Sequence, residues 1–136
     1  QFYYSSIFDG HGGDNVSKYL KSKLHKVLYN ALKEPSLKNI KDVIIKVFEK
    51  IDRDICADSL IKNSGSTAVT VIVDTKNGKV YIANLGDSRA LVVYKDNLKE
   101  FFTTKDHKPH VTDEKARIEK AGGKVAISGR VGGVLA

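Results

Sequence analysis

The chain has 136 residues, enough for one domain or part of one, and 41% of them are hydrophobic, so a core can form. Lysine and arginine total 23 against 16 acids, a formal charge of +7. No apolar run is long enough to span a bilayer, no signal-peptide pattern opens the chain, and one cysteine, Cys56, excludes an internal disulfide.

Phe2 to Phe8 is rich in aromatic and β-favouring residues and predicts a strand. A glycine-rich turn follows. Asp14 is the expected cap of a helix whose apolar residues recur at Val16, Tyr19, Leu20, Leu24, Val27, Leu28 and Ala31. Pro35 breaks it, and Ser36 is the expected cap of a second helix. That helix carries its stripe from Ile40 through Ile44, Val47 and Ile51 to Ile55, and ends near Asn63-Ser64-Gly65. Cys56 falls in this pattern and is expected as a small buried hydrophobe. Thr67 to Val73 is β-branched apart from Ala68. Asn77-Gly78 predicts a hairpin into Val80 to Leu85. Further strands are expected at Ala90 to Tyr94 and Leu98 to Thr103. Thr112 is the expected cap of a short helix with Ala116, Ile118 and Ala121, stopped by Gly122-Gly123. Lys124 to Ile127 and Gly133 to Ala136 read as two more short strands. The order predicts an α+β fold, its helices burying their stripes on a sheet face, with a sandwich of sheets and helices outside as the natural solution.

The lysines are spread over helix faces such as Lys18, Lys21, Lys23 and Lys26. They form no dense block and no interleaving with aromatics, so neither nucleic acid nor membrane is an expected partner. The lone cysteine fits an intracellular protein, in the cytoplasm or nucleus. The chain contains no methionine, begins inside a strand-like run and stops at Val134-Leu135-Ala136. It reads as residues 1–136 of a single domain truncated at both ends.

Several short runs could carry chemistry. Phe8-Asp9-Gly10-His11-Gly12-Gly13 sets a carboxylate and an imidazole among three glycines. It reads either as a plain turn or as an oxygen-donor site for a hard divalent cation. In the second reading Asp9 gives its carboxylate and Gly10, lacking a Cβ, a carbonyl that can approach a ligand closely. His11 exchanges protons near neutral pH. Asn84-Leu85-Gly86-Asp87-Ser88-Arg89-Ala90 places Asp87 in a turn between strands, and Arg89 can pair with an acid or bind phosphate, pairing being the commoner fate. Small residues at Ser64 to Ala68 allow something to approach the backbone. His107 reads as a structural loop residue, with a ligand role the alternative; His25 and His110 read as surface residues.

In order, these segments resemble the metal-dependent serine/threonine protein phosphatases of type 2C, the PPM family. The matching stretches are Phe8 to Gly13, Gly65-Ser66-Thr67-Ala68, Ala83 to Ala90 and Asp106-His107-Lys108-Pro109. Glu114 through Arg117-Ile118 to Gly123, and Arg130-Val131 with Gly133, Leu135 and Ala136, extend the match over nearly the whole chain. The resemblance implies an αββα sandwich, incomplete here, that hydrolyses phosphoserine and phosphothreonine on proteins. It implies two Mg²⁺ or Mn²⁺ ions and possible room for a third. Asp9 would bridge the two ions, the Gly10 carbonyl would bind one, and His11 would be the general acid. Asp87 would help hold the further ion, with Thr67 near it. Family members also carry an arginine and an acidic pair upstream of Asp9, and two aspartates beyond residue 136, so most acidic ligands lie outside this chain. The chain alone is therefore expected to bind metal poorly, to turn over little, and to self-associate through open sheet edges. The alternative is a phosphatase-like module that binds or regulates a partner without catalysis.

Overall fold

The computed structural model describes residues 1–34, 39–61 and 63–131. Pro35, Ser36 and the expected strand Gly133 to Ala136 lie outside the described residues, as do Gly133, Leu135 and Ala136 of the motif match. The chain divides into two units, Gln1–Asn84 and Leu85–Ala136. The elements are three helices and antiparallel strands, the α+β class. No helix among the described residues is long and apolar enough to cross a membrane.

In the first unit, strand β1 (Phe2–Ile7) runs into a two-residue strand, β2 (Gly10–His11), and then helix α1 (Asn15–Leu32). Helix α2 (Ile40–Ala57) follows, then β3 (Gly65–Ser66), β4 (Ala68–Asp74) and β5 (Lys79–Leu85). Strands β1, β4 and β5 form one sheet in that order; β2 and β3 form a separate pair. β1 pairs with β4 from Phe2 opposite Asp74 to Ile7 opposite Val69. Beyond a gap of two residues on each strand the same register resumes, with Gly10 opposite Ser66 and His11 opposite Gly65. The two strand pairs thus follow one antiparallel register, interrupted at Phe8-Asp9 and Thr67-Ala68.

Helical periodicity decides what the helices bury. Val16, Leu20, Leu24 and Leu28 of α1 recur every fourth residue and form one core with Ile44, Val47 and Ile51 of α2 and Ile72 of β4. Tyr81 and Ala83 of β5 and Phe8 close on the same cluster, which places both helices on one face of the sheet. Thr70 of β4, fully buried, shares a 2.7 Å hydrogen bond with the Ser6 hydroxyl, so its own hydroxyl is not buried unpaired. On the other face Tyr3 and Ile7 remain exposed opposite Val73 and Val69.

The Asn77-Gly78 turn forms as expected, but its anchor is Asp74. The buried carboxylate accepts hydrogen bonds from the amides of Lys76 and Asn77 and from the Asn77 side chain, at 3.1, 3.3 and 2.6 Å. Gly78 takes φ +61°, which the turn demands.

Local capping differs from expectation. Asp14 precedes α1 without a capping bond, because its carboxylate pairs instead with Lys18 one turn on. α2 is capped by Asn39, whose side chain accepts from the Lys41 amide at 3.0 Å. It ends at Ala57, short of Asn63, where Asp58 turns extended and bonds the Leu60 amide. Cys56 is exposed, since it lies five residues past Ile51 and so off the buried stripe.

The second unit holds the hairpin β6 (Leu91–Tyr94) and β7 (Asn97–Thr103), then helix α3 (Thr112–Lys120). Thr112 is the first residue of α3 and Val111 its cap residue, with no side-chain capping bond. The strand expected at Lys124 to Ile127 is reduced to one bridge, Val125 to Val131.

Leu24 is fully buried, whereas Ile45 of α2 is 47% exposed. Leu24→Ala should cost about 2–5 kcal/mol of unfolding free energy and Ile45→Ala under about 1 kcal/mol, read from denaturant midpoints.

Candidate active site

Strand β1 delivers Asp9 to a fixed place. The Thr67 amide donates to the Asp9 carbonyl at 2.9 Å, and the Asp9 amide donates to Thr67 Oγ1 at 3.1 Å. Both backbone groups of Asp9 are therefore held by one residue, while its carboxylate is exposed and carries no hydrogen bond or ion pair among the described residues. Gly10 and His11 follow in β2 against Ser66 and Gly65. A Cβ on Gly10 would come 2.8 Å from Ser17 Oγ, so the first turn of α1 packs against the glycine. The chain then turns through Gly12 and Gly13 at φ +66° and +127°. A side chain at Gly12 would also crowd the Asn63 carbonyl at 3.2 Å. Ser64 ties the segment down: its hydroxyl donates to the Ile61 carbonyl at 3.0 Å and accepts from the Val16 amide at 3.4 Å. The small residues at Ser64 to Ser66 do admit a close neighbour, and that neighbour is His11. Its imidazole lies over Gly65, where a Cβ would overlap Nε2 and approach Cε1 to 2.8 Å.

Asp87 lies in the second unit, after Gly86 at φ +94°, exposed and with no partner on its carboxylate among the described residues. Its neighbours are clasped to the loop that follows β7. Arg89 makes a bidentate ion pair with Asp106, Nε to Oδ1 at 2.9 Å and the second nitrogen to Oδ2 at 3.1 Å. The His107 amide donates to the Gly86 carbonyl at 3.0 Å. Ala90 and Thr104 exchange two bonds, at 3.0 and 3.1 Å. Arg89 is thus committed to an acid, and His107 serves this loop through its backbone. Hydrogen bonding to Arg89 holds the Asp106 carboxyl below the usual aspartate range; partial burial opposes this, and Lys108 adds to it. Glu114 is likewise held low by Arg117. His25 sits at the surface with its ring 6.3 Å from that of Tyr4, and His110 is exposed.

The protein phosphatase 2C family model matches residues 1–136. The chain belongs to the protein phosphatase 2C family. It is 42% identical over 135 residues to probable protein phosphatase 2C member 13, mitochondrial, of Oryza sativa subsp. japonica, covering 96% of this chain and 35% of the relative. It is 40% identical over 134 residues to probable protein phosphatase 2C 11 of Arabidopsis thaliana, covering 96% and 34%. A solved Caenorhabditis elegans structure described as a sex determining protein superposes with TM-score 0.80 at 31% identity, over 98% of this chain and 34% of the other. The chain thus spans about a third of the length of the curated relatives it matches.

The protein phosphatase 2C family is metal-dependent and acts on phosphoserine and phosphothreonine. The donors on this chain fit that chemistry in kind but not in number. Asp9 and the Gly10 carbonyl are adjacent hard oxygen donors, yet the described residues hold no group of three or more His, Cys, Asp or Glu that could enclose a cation. Sequence reading missed the β2–β3 pair and the two hydrogen bonds that Thr67 and Asp9 exchange. Two-residue strands carry no periodicity, and a threonine at a strand start gives no signal of its partner.

The Asp106 carboxyl is depressed, so its pair with Arg89 stabilises the loop above the ordinary aspartate range. That contribution is lost as pH falls through the lower folded value. Asp106→Asn should therefore speed exchange of the Thr104 and His107 amides at neutral pH. The difference in protection from wild type should shrink under acid, as hydrogen–deuterium exchange will show.

Proposed function

We propose that the protein carrying this chain is a protein serine/threonine phosphatase. It would work with Mg²⁺ or Mn²⁺, two ions at the site that includes Asp9 and a third that Asp87 helps to hold. The observation that carries this reading is the Asp9-Gly10-His11 step. An unpaired carboxylate, a main-chain carbonyl and an imidazole stand on consecutive residues of a backbone held by Thr67 and β3. The naming of the rice and Arabidopsis relatives as protein phosphatases supports it.

Bound divalent cations supply a metal-activated water that can attack phosphorus. Asp9, through its carboxylate, and Gly10, through its carbonyl, would serve as oxygen ligands to them. His11, exposed beside them, gives a proton to the departing serine or threonine oxygen as general acid. Phosphorylated proteins are the proposed substrates, and the net positive charge of the chain favours them. An intracellular setting, cytoplasmic or nuclear, is part of the same proposal and rests on the lone, exposed Cys56. So is self-association of the chain when isolated, through the open edge of β1 and the exposed Tyr3 and Ile7. The alternative is a phosphatase-like module that binds or regulates a partner without catalysis.

One assay separates the two. The full-length protein should hydrolyse p-nitrophenyl phosphate and a phosphothreonine peptide with Mn²⁺ and stop when the metal is chelated. Asp9→Asn keeps the backbone bonds to Thr67 and should lower the rate at least about a hundredfold, several kcal/mol of lost charge stabilisation. Full activity in Asp9→Asn, or turnover that needs no divalent metal, rules out the metal-dependent phosphatase reading of this site. No turnover at any metal concentration favours the binding module.

A further inference from the structure

His11 and Gly65 are direct cross-strand partners in the β2–β3 pair. Side chains of opposed residues in an antiparallel pair rise on the same face, so a ring on one strand can lean over a glycine on the other. That is the arrangement here. The space that a Gly65 side chain would fill is taken by His11 Nε2, with Cε1 and Cδ2 at 2.8 and 3.0 Å from the absent Cβ. These three ring atoms are the heavy atoms nearest that point. Gly65 does not adopt the left-handed backbone that favours glycine, in contrast to Gly12 and Gly13 on the facing turn. Backbone conformation therefore gives no reason for a glycine at this position, and room for the imidazole is the one reason the geometry supplies.

We propose that Gly65 is the positioning residue for His11: the missing Cβ is the seat that holds the imidazole beside Asp9. The inference rests on the reading of His11 as the proton donor. It adds a second residue, on another strand, that fixes where the proton is delivered. An exposed ring at the end of a rotatable side chain yields before a paired backbone does. A methyl at position 65 therefore turns the ring out to solvent and leaves β2 and β3 paired. Gly65→Ala then behaves as a partial loss of His11 rather than as a folding defect.

The test is a double-mutant cycle in the full-length protein with saturating Mn²⁺, using wild type, Gly65→Ala, His11→Gln and the double variant. Each is assayed on a phosphothreonine peptide, whose alkoxide needs a proton to leave, and on p-nitrophenyl phosphate, whose phenolate needs it far less. His11→Gln should lose about a hundredfold or more on the peptide, and Gly65→Ala about tenfold or more, each losing less on p-nitrophenyl phosphate. The double variant should be no slower than His11→Gln. Should His11→Gln match wild type on the peptide, the proton-donor reading itself falls, and the positioning role with it. If His11→Gln is impaired while Gly65→Ala is not, or if the two losses multiply, the proton donor stands and the seat is refuted. A nuclear Overhauser contact between the His11 ring protons and the Gly65 Hα protons of the wild-type protein checks the seat even where Gly65→Ala fails to fold. Its absence overturns the proposal.

Discussion

Thr67 holds Asp9 by both of its backbone groups, and the candidate active site depends on that pair of bonds. Two-residue strands such as β2 and β3 do not persist alone in water. They persist here because they continue a longer ribbon. β1 and β4 are paired over six residues, and the register carries across the gap at Phe8-Asp9 and Thr67-Ala68, where Asp9 faces Thr67. β4 is the most buried strand of the unit, packed beneath two helices through Ile72. A core built from Leu24, Leu28, Ile51 and Ile72 therefore fixes, through one continuous register, where a carboxylate and an imidazole stand at the surface.

The sequence made the elements visible and left their joins hidden. Every helix and every strand of four residues or more could be anticipated, because each carries a period: four residues for Val16 to Leu28, β-branched runs for β4, Asn-Gly for the β4–β5 turn. Caps were less legible. Asp14, Ser36 and Thr112 all looked like caps by residue type. Yet Asp14 is drawn to Lys18, Asn39 is the residue that caps α2, and Thr112 already lies inside α3. A polar side chain near a helix start has several partners within reach, and which one it takes is settled by geometry that residue type does not encode. Cys56 shows the same limit in apolar terms: it sits in a helical stripe by composition and off it by angle.

The motif runs were legible as candidates but not as mechanics. Gly65 looked like part of a helix stop; its packing partner is 54 residues away in sequence, and only the strand register brings His11 to it. Arg89 could have met phosphate or an acid, and Asp106, 17 residues on, decides the matter through two hydrogen bonds. Contacts of that separation leave no local trace.

The two units secure their candidate residues by different physics. Around Asp9 the restraints are backbone amides, hydroxyls and glycine packing, none of which titrates in the ordinary pH range. Around Asp87 the chief side-chain restraint is an ion pair, supported by backbone bonds to Gly86 and Ala90. In both places the restraints fall on the neighbours and not on the carboxylate itself. Asp14, Asp74, Asp106 and Asp113 spend their oxygens on internal partners, while Asp9 and Asp87 are exposed and keep theirs available. A carboxylate already bonded to a lysine or arginine must break that pair before it can serve a ligand. One whose backbone alone is gripped meets the ligand with its full charge and with its position already set, which is the condition for binding a cation without reorganising the protein around it.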